Sequence, residues 1–142
     1  MHKGYINLYL MLVILVLLAS VASMASITLA NLRALRSTED LFATQYLAEA
    51  GMAFGIDKIK SVPGYFTDGS LGSPLKAWLI TGSVGHTYFL QKGGFKIVCP
   101  SGRGELYSIG FLGNNITAAG GYCFLKIKFE ESPFRMVEWN RF

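Results

Sequence analysis

The sequence predicts an α+β protein: one long N-terminal α-helix that enters or crosses a membrane and packs by its C-terminal half on a small antiparallel β-sheet head. Three observations carry this reading. Residues 4–32 form a run of 29 residues without a formal charge, longer than the ~20 apolar residues needed to cross a bilayer. Between residues 5 and 62 there is no proline, and Gly51 and Gly55 are the only glycines. Thirteen of the sixteen glycines then fall between Gly64 and Gly121, which cuts the second half into short strands and turns.

The helix is expected from about Tyr5 to about Ser61, ending at Pro63-Gly64, a normal stop signal. Its membrane part centres on LYLMLVILVLLA, residues 8–19, followed by the small-residue stretch SVASMASITLA, which permits close helix packing in lipid. The next segment is amphipathic. At 100° per residue Leu32, Leu35, Phe42, Ala43, Tyr46, Leu47, Ala50, Ala53 and Phe54 share one broad face, and Arg33, Ser37, Asp40, Thr44, Gly51, Gly55 and Lys58 form a narrow polar or small stripe. The broad apolar face is the one expected to lie on the sheet. Ser37-Thr38-Glu39-Asp40 also reads as the cap of a second helix, so a break near Ser37 is the alternative to one continuous element.

Beyond Pro63 the strand signals fall at residues 86–91, 95–99, 106–111, 122–130 and 136–139. In YCFLKIKFE, Cys123, Leu125, Ile127 and Phe129 alternate with Tyr122, Phe124, Lys126 and Lys128, the pattern of a strand with one buried face; Lys126 and Lys128 are expected on a solvated face, contact with an anionic surface or DNA being the alternative. GRGE and GNN suit tight turns and no helix-length crossover remains, so an antiparallel meander is expected. The organisation is then a leader (1–4), a transmembrane half-helix (5–31), an amphipathic half-helix (32–62) and a β-rich head (63–142).

Composition excludes several function classes. Two histidines and two distant cysteines cannot build a zinc or cluster site, so no metal or other cofactor is expected. Thirteen Lys and Arg against nine Asp and Glu give +4, with no basic block, so nucleic acid is not a default partner. No Ser-His-Asp set, paired catalytic carboxylates or phosphate loop emerges, and Gly102-x-Gly104 is a turn rather than a nucleotide fingerprint. The sequence therefore reads as non-enzymatic. Cys99 and Cys123 sit in two predicted strands; in an exported head they would meet an oxidising compartment, where a bridge closing 25 residues is worth about 3 kcal/mol. Two buried thiols are the alternative.

The N-terminus adds the most specific signal. Lys3-Gly4-Tyr5 is a short basic leader ending in glycine, directly followed by the apolar helix, and it looks like a prepilin cleaved between Gly4 and Tyr5. Further on, ATQYLAEAGMAFGIDKI (residues 43–59) resembles the A-x-x-x-A-E-A-G-x-x-x-A motif of PilX-type minor pilins and the related K-type minor pseudopilins. LYSIGFLG and the ending VEWNRF resemble the tail of the same family. The likeness is moderate over residues 3–60, weak over 105–142 and slight between them.

The resemblance implies a pilin-like fold and a subunit of a type IV pilus or type II secretion pseudopilus. It implies prepilin peptidase, other minor pilins or pseudopilins, an inner-membrane assembly platform and membrane lipid as partners. The chain would sit single-pass in the inner (cytoplasmic) membrane with the head outside, and later in the filament. Most pilins carry glutamate at the fifth mature residue, where this chain has Tyr9; the family members that lack this acid are placed at the filament tip, an ordinary interfacial aromatic being the alternative reading of Tyr9. Glu49 has no basic residue at i±3 or i±4 and is a candidate for bonding the head or a neighbouring subunit, an ordinary solvated helix acid being the alternative. Gly51-x-x-x-Gly55 allows another backbone to approach, although in this half of the helix two glycines more often are packing space against a sheet. Two other readings fit the same N-terminus: a signal peptide cut near Ser26, releasing a secreted globular binding domain, and an uncleaved anchor of an unrelated domain.

Overall fold

The computed structural model describes residues 3–62, 64, 67–100, 102–131 and 134–142. The expected stop residue Pro63, and Met1 and His2 of the expected leader, lie outside them. Helix α1 runs Lys3–Ser61, in one piece through Ser37, so the alternative of a second helix starting there does not hold. A two-residue strand β1 (Thr67–Asp68) and a short helix α2 (Leu75–Thr81) follow. Then come β2 (His86–Leu90), β3 (Gly93–Pro100), β4 (Glu105–Leu112), β5 (Tyr122–Glu131) and β6 (Phe134–Arg141), with a 3-10 turn at Ile116–Ala118. The five main strands were legible as alternation; α2 and β1 were not foreseen.

The chain divides into two compact units, Met1–Thr38 and Glu39–Phe142. The first holds the apolar part of α1, whose large side chains are exposed, Leu12, Leu15 and Leu18 among them. That helix is long and apolar enough to cross a membrane.

In the second unit, β2 to β6 form the expected antiparallel meander, and β1 adds to β3 in parallel. The pleat sends alternate residues to two cores. On one face Phe95, Ile97, Leu106, Leu125, Ile127 and Phe129 pack with Ala48 and Met52 of α1. On the other, Val98, Tyr107, Ile109 and Phe124 pack with Leu79 of α2. GRGE closes the β3–β4 turn through Gly102 and Gly104, whose φ angles of 74° and 57° no ordinary side chain favours. GNN, expected to be a tight turn, instead opens a longer connection that includes the 3-10 turn.

The face of α1 that meets the sheet is the reverse of the one its hydrophobicity pointed to. Thr44, Ala48, Gly51, Met52 and Gly55 are buried, whereas of the expected face Phe42 (53%), Tyr46 (69%), Ala50 and Ala53 are exposed, Ala43 and Leu47 are half-buried, and Phe54 packs at the margin of the core. The cause is space. A methyl built on Gly51 would stand 2.5 Å from Ser108 Oγ and 2.8 Å from the Phe95 ring, and one on Gly110 of β4 would stand 2.1 Å from the Thr44 carbonyl oxygen. The sheet already supplies the bulk, so the helix must supply the small side chains. Ser108 Oγ donates to the Ala48 carbonyl at 2.7 Å and tethers the two backbones at that closest approach.

Gly51→Ala and Gly110→Ala should each lower head stability by about 1–3 kcal/mol through overpacking. Gly69→Ala and Gly120→Ala, which would meet nothing within 4 Å, should be near neutral. Denaturant unfolding of the full chain in detergent checks all four, and equal effects at the four positions would contradict the packing described.

Candidate functional site

The seam between α1 and the sheet holds Gly51 and, beside it, Glu49. Gly51 lies at its centre, against Ser108 and Phe95. Glu49 lies one position off the buried stripe, half-buried, and accepts a hydrogen bond from Gln45 Nε2 at 2.9 Å. Gln45 Oε1 in turn accepts from Arg141 Nη1 at 3.2 Å, and Arg141 is the last residue of β6. Glu49 is therefore held within its own helix and joined to the C-terminal strand through Gln45, an arrangement that inspection for a basic residue at i±4 could not reveal.

Gly4 and Tyr5 are both within α1, which begins at Lys3, two residues ahead of the expected start. Tyr5 and Tyr9 are exposed, at 79% and 71%, so neither is held by the rest of the chain.

The expected Cys99–Cys123 bond does not form. Cys99 is on β3 and Cys123 on β5, and β4 lies between these strands. Cys123 pairs with Gly110, while Val98, next to Cys99, pairs with Tyr107, so the thiols also sit at different levels of the sheet. A disulfide needs Cα atoms about 4.4–6.8 Å apart. Alternation placed both residues correctly in strands; it carries no information on strand order. Burial pushes the Cys123 thiol up, against the pull of the Arg141 charge, as suits an inert packed thiol.

On the other face of the sheet two lysines do work that alternation did not disclose. Lys96, 3% exposed, donates Nζ to the carbonyls of Leu79 at 2.9 Å and Gly82 at 2.7 Å, closing the C-terminal end of α2. Those carbonyls lack intrahelical partners, and a cation there suits the helix dipole. Lys126 was expected on a solvated face. It pairs instead with Glu105 at 2.8 Å, lies 5.3 Å from the Tyr107 ring centre, and shares Glu105 with the Tyr107 hydroxyl, which donates at 2.8 Å. Lys128 keeps its exposure and meets Glu138 at 3.5 Å.

An open groove of about 470 Å³ lies beside the seam, lined by Ala43, Tyr46 and Leu47 of α1 and by residues 90–93. Among the described residues no group of three or more His, Cys, Asp or Glu could hold a metal ion. No family model, curated protein or solved structure matches the chain.

The Glu105 cluster sets a pH dependence. Partial burial pushes the Glu105 carboxyl up, but hydrogen bonds from Lys126 and Tyr107 outweigh it and leave the group below its ordinary range. A carboxyl whose folded pKa is depressed contributes stability above its unfolded pKa and loses it as pH falls through the folded value. Burial pulls Lys126 down, yet the bonds to Glu105 and Tyr107 hold it above its ordinary value; that contribution is full below the unfolded pKa and is lost as pH rises through the folded one. Glu105→Gln should cost about 1 kcal/mol at pH 7, after discounting for partial exposure. It should also shrink the acid-limb loss below about pH 4. Denaturant midpoints from pH 3 to 8 check this, and an unchanged acid limb would contradict it.

Proposed function

We propose that this chain is a minor pilin or pseudopilin, an assembly subunit of a type IV pilus or type II secretion pseudopilus acting near the filament tip. The observation that carries the reading is the single helix Lys3–Ser61, apolar and exposed in its first part and joined in its second part to an antiparallel sheet by a glycine-lined seam. The AEAG motif of residues 48–51 falls on this seam, with Ala48 and Gly51 buried and Ala50 exposed.

The exposed helix residues support the same reading. Phe42 and Tyr46 face away from the head's own core, and a monomer rarely leaves a contiguous large apolar surface uncovered. Before assembly the first part of the helix is stored in the inner membrane with the head outside; in the filament, helices of other subunits take the place of lipid. Prepilin peptidase cuts between Gly4 and Tyr5, and the assembly platform raises the subunit. Tyr9 removes the acid that elsewhere pairs with the amine of an earlier subunit. An unpaired carboxylate in lipid costs several kcal/mol, so a subunit that comes first in line gains by lacking it.

One experiment with two readouts tests the proposal. Intact mass of the membrane-bound chain should show a mature start at Tyr5 in the wild type and an uncut precursor in Gly4→Val; a wild-type start near Ser26 would instead establish the secreted-domain reading. Deleting the chain should reduce filament number more than filament length, and immunogold labelling along whole filaments at major-subunit density would contradict a tip position.

A further inference from the structure

The connection between β4 and β5 carries Asn115-Ile116-Thr117, the only Asn-x-Ser/Thr sequence in the chain. This is the acceptor pattern of N-linked glycosylation, with a middle residue other than proline. We propose that Asn115 is an N-glycosylation site of the exported head. The inference rests on the reading that the head lies outside the membrane, the side on which it would meet a lipid-linked oligosaccharide donor.

The local structure meets the requirements of an acceptor. Asn115 and Thr117 are both exposed, and between them Ile116 is half-buried, its carbonyl held by the Tyr122 hydroxyl. The middle of the tripeptide is thus anchored to the head while Asn115, the residue that reacts, and Thr117 face solvent. Asn115 Oδ1 accepts from the Thr117 backbone N–H at 3.0 Å and from the Thr117 hydroxyl at 2.9 Å, a side-chain turn of the kind short polar residues form. Both bonds fall on the carboxamide oxygen. They draw electron density toward it, make the Nδ2–H more acidic, and leave Nδ2 as the end of the side chain not used by the turn. The surroundings leave room for a sugar: a methyl built on Gly113 or Gly120, which flank the segment, would meet nothing within 4 Å.

The chemistry is a group transfer without redox change. The donor is an oligosaccharide on a polyprenyl diphosphate, brought by a membrane oligosaccharyltransferase. The anomeric carbon of the first sugar forms a bond to Asn115 Nδ2 as its bond to the diphosphate oxygen breaks. One Nδ2 proton leaves to base, and polyprenyl diphosphate departs.

Asn115 also caps the 3-10 turn, and a role confined to that cap would leave the mass of the chain unchanged. The test is tryptic peptide mass on the full chain from the cells that make it, paired with digestion by protease added outside those cells after wall removal. The peptide of residues 104–126 should carry added oligosaccharide in the wild type, in Asn114→Gln and, at lower occupancy, in Thr117→Ser. It should carry none in Asn115→Gln or Thr117→Ala. An unmodified wild-type peptide on a head that external protease removes would overturn the glycosylation site and leave the exported-head reading intact. An unmodified peptide on a protected head would overturn both.

Discussion

The close approach of α1 to β4 determines how the rest of the head is built. At Gly110 the strand has no side chain, and the helix backbone at Thr44 and Ala48 occupies the space a methyl would need. Ser108 then bonds the Ala48 carbonyl. A helix that lies this near a sheet buries its small stripe rather than its bulky one, because dispersion contacts and excluded water are gained only when the two surfaces meet without voids. The bulk is delivered from the sheet by Phe95, Ile97, Leu106 and Ile127. Phe42 and Tyr46 are turned outward as a consequence, so the apolar surface this part of the helix leaves exposed is decided by a packing rule inside the head.

That seam separates what the sequence disclosed from what it did not. The helix and the five main strands were legible because their signals are local: an interval without proline, and period-two alternation as in Cys123, Leu125, Ile127 and Phe129. The phase of the helix on the sheet was not. Hydrophobic periodicity identifies an apolar face, yet it cannot distinguish a face that meets its own sheet from one left for another surface. Gly51 and Gly55, legible as packing space against a sheet, were the signal that pointed to the face that does pack, since two glycines spaced four apart in a helix are costly unless something lies against them.

Other parts of the site depended on pairings that only the folded chain brings together. Strand order places β4 between Cys99 and Cys123, and nothing in the spacing of those residues encodes it. Lys96 closes the end of α2 from a different element, and Lys126 finds Glu105 across a strand pair whose register sets Tyr107 opposite Lys126 and Glu105 opposite Lys128. In each case a residue that alternation assigned to a generic position takes a specific one, because a buried or half-buried charge must be partnered. Glu49 illustrates the reverse. Its partner Gln45 is four residues away on the same helix, and as an uncharged amide it leaves no mark in the charge pattern.

The phase of α1 on the sheet is measured most directly by maleimide reactivity of single cysteines placed along residues 44–57 in a full chain whose own two cysteines are replaced by alanine. The structure predicts fast labelling at Tyr46, Ala50, Ala53 and Asp57, and strong protection at Ala48 and Met52 that disappears on denaturation. Protection at Tyr46, Ala50 and Ala53 with fast labelling at Ala48 and Met52 would show that the broad apolar face covers the sheet and would contradict the account.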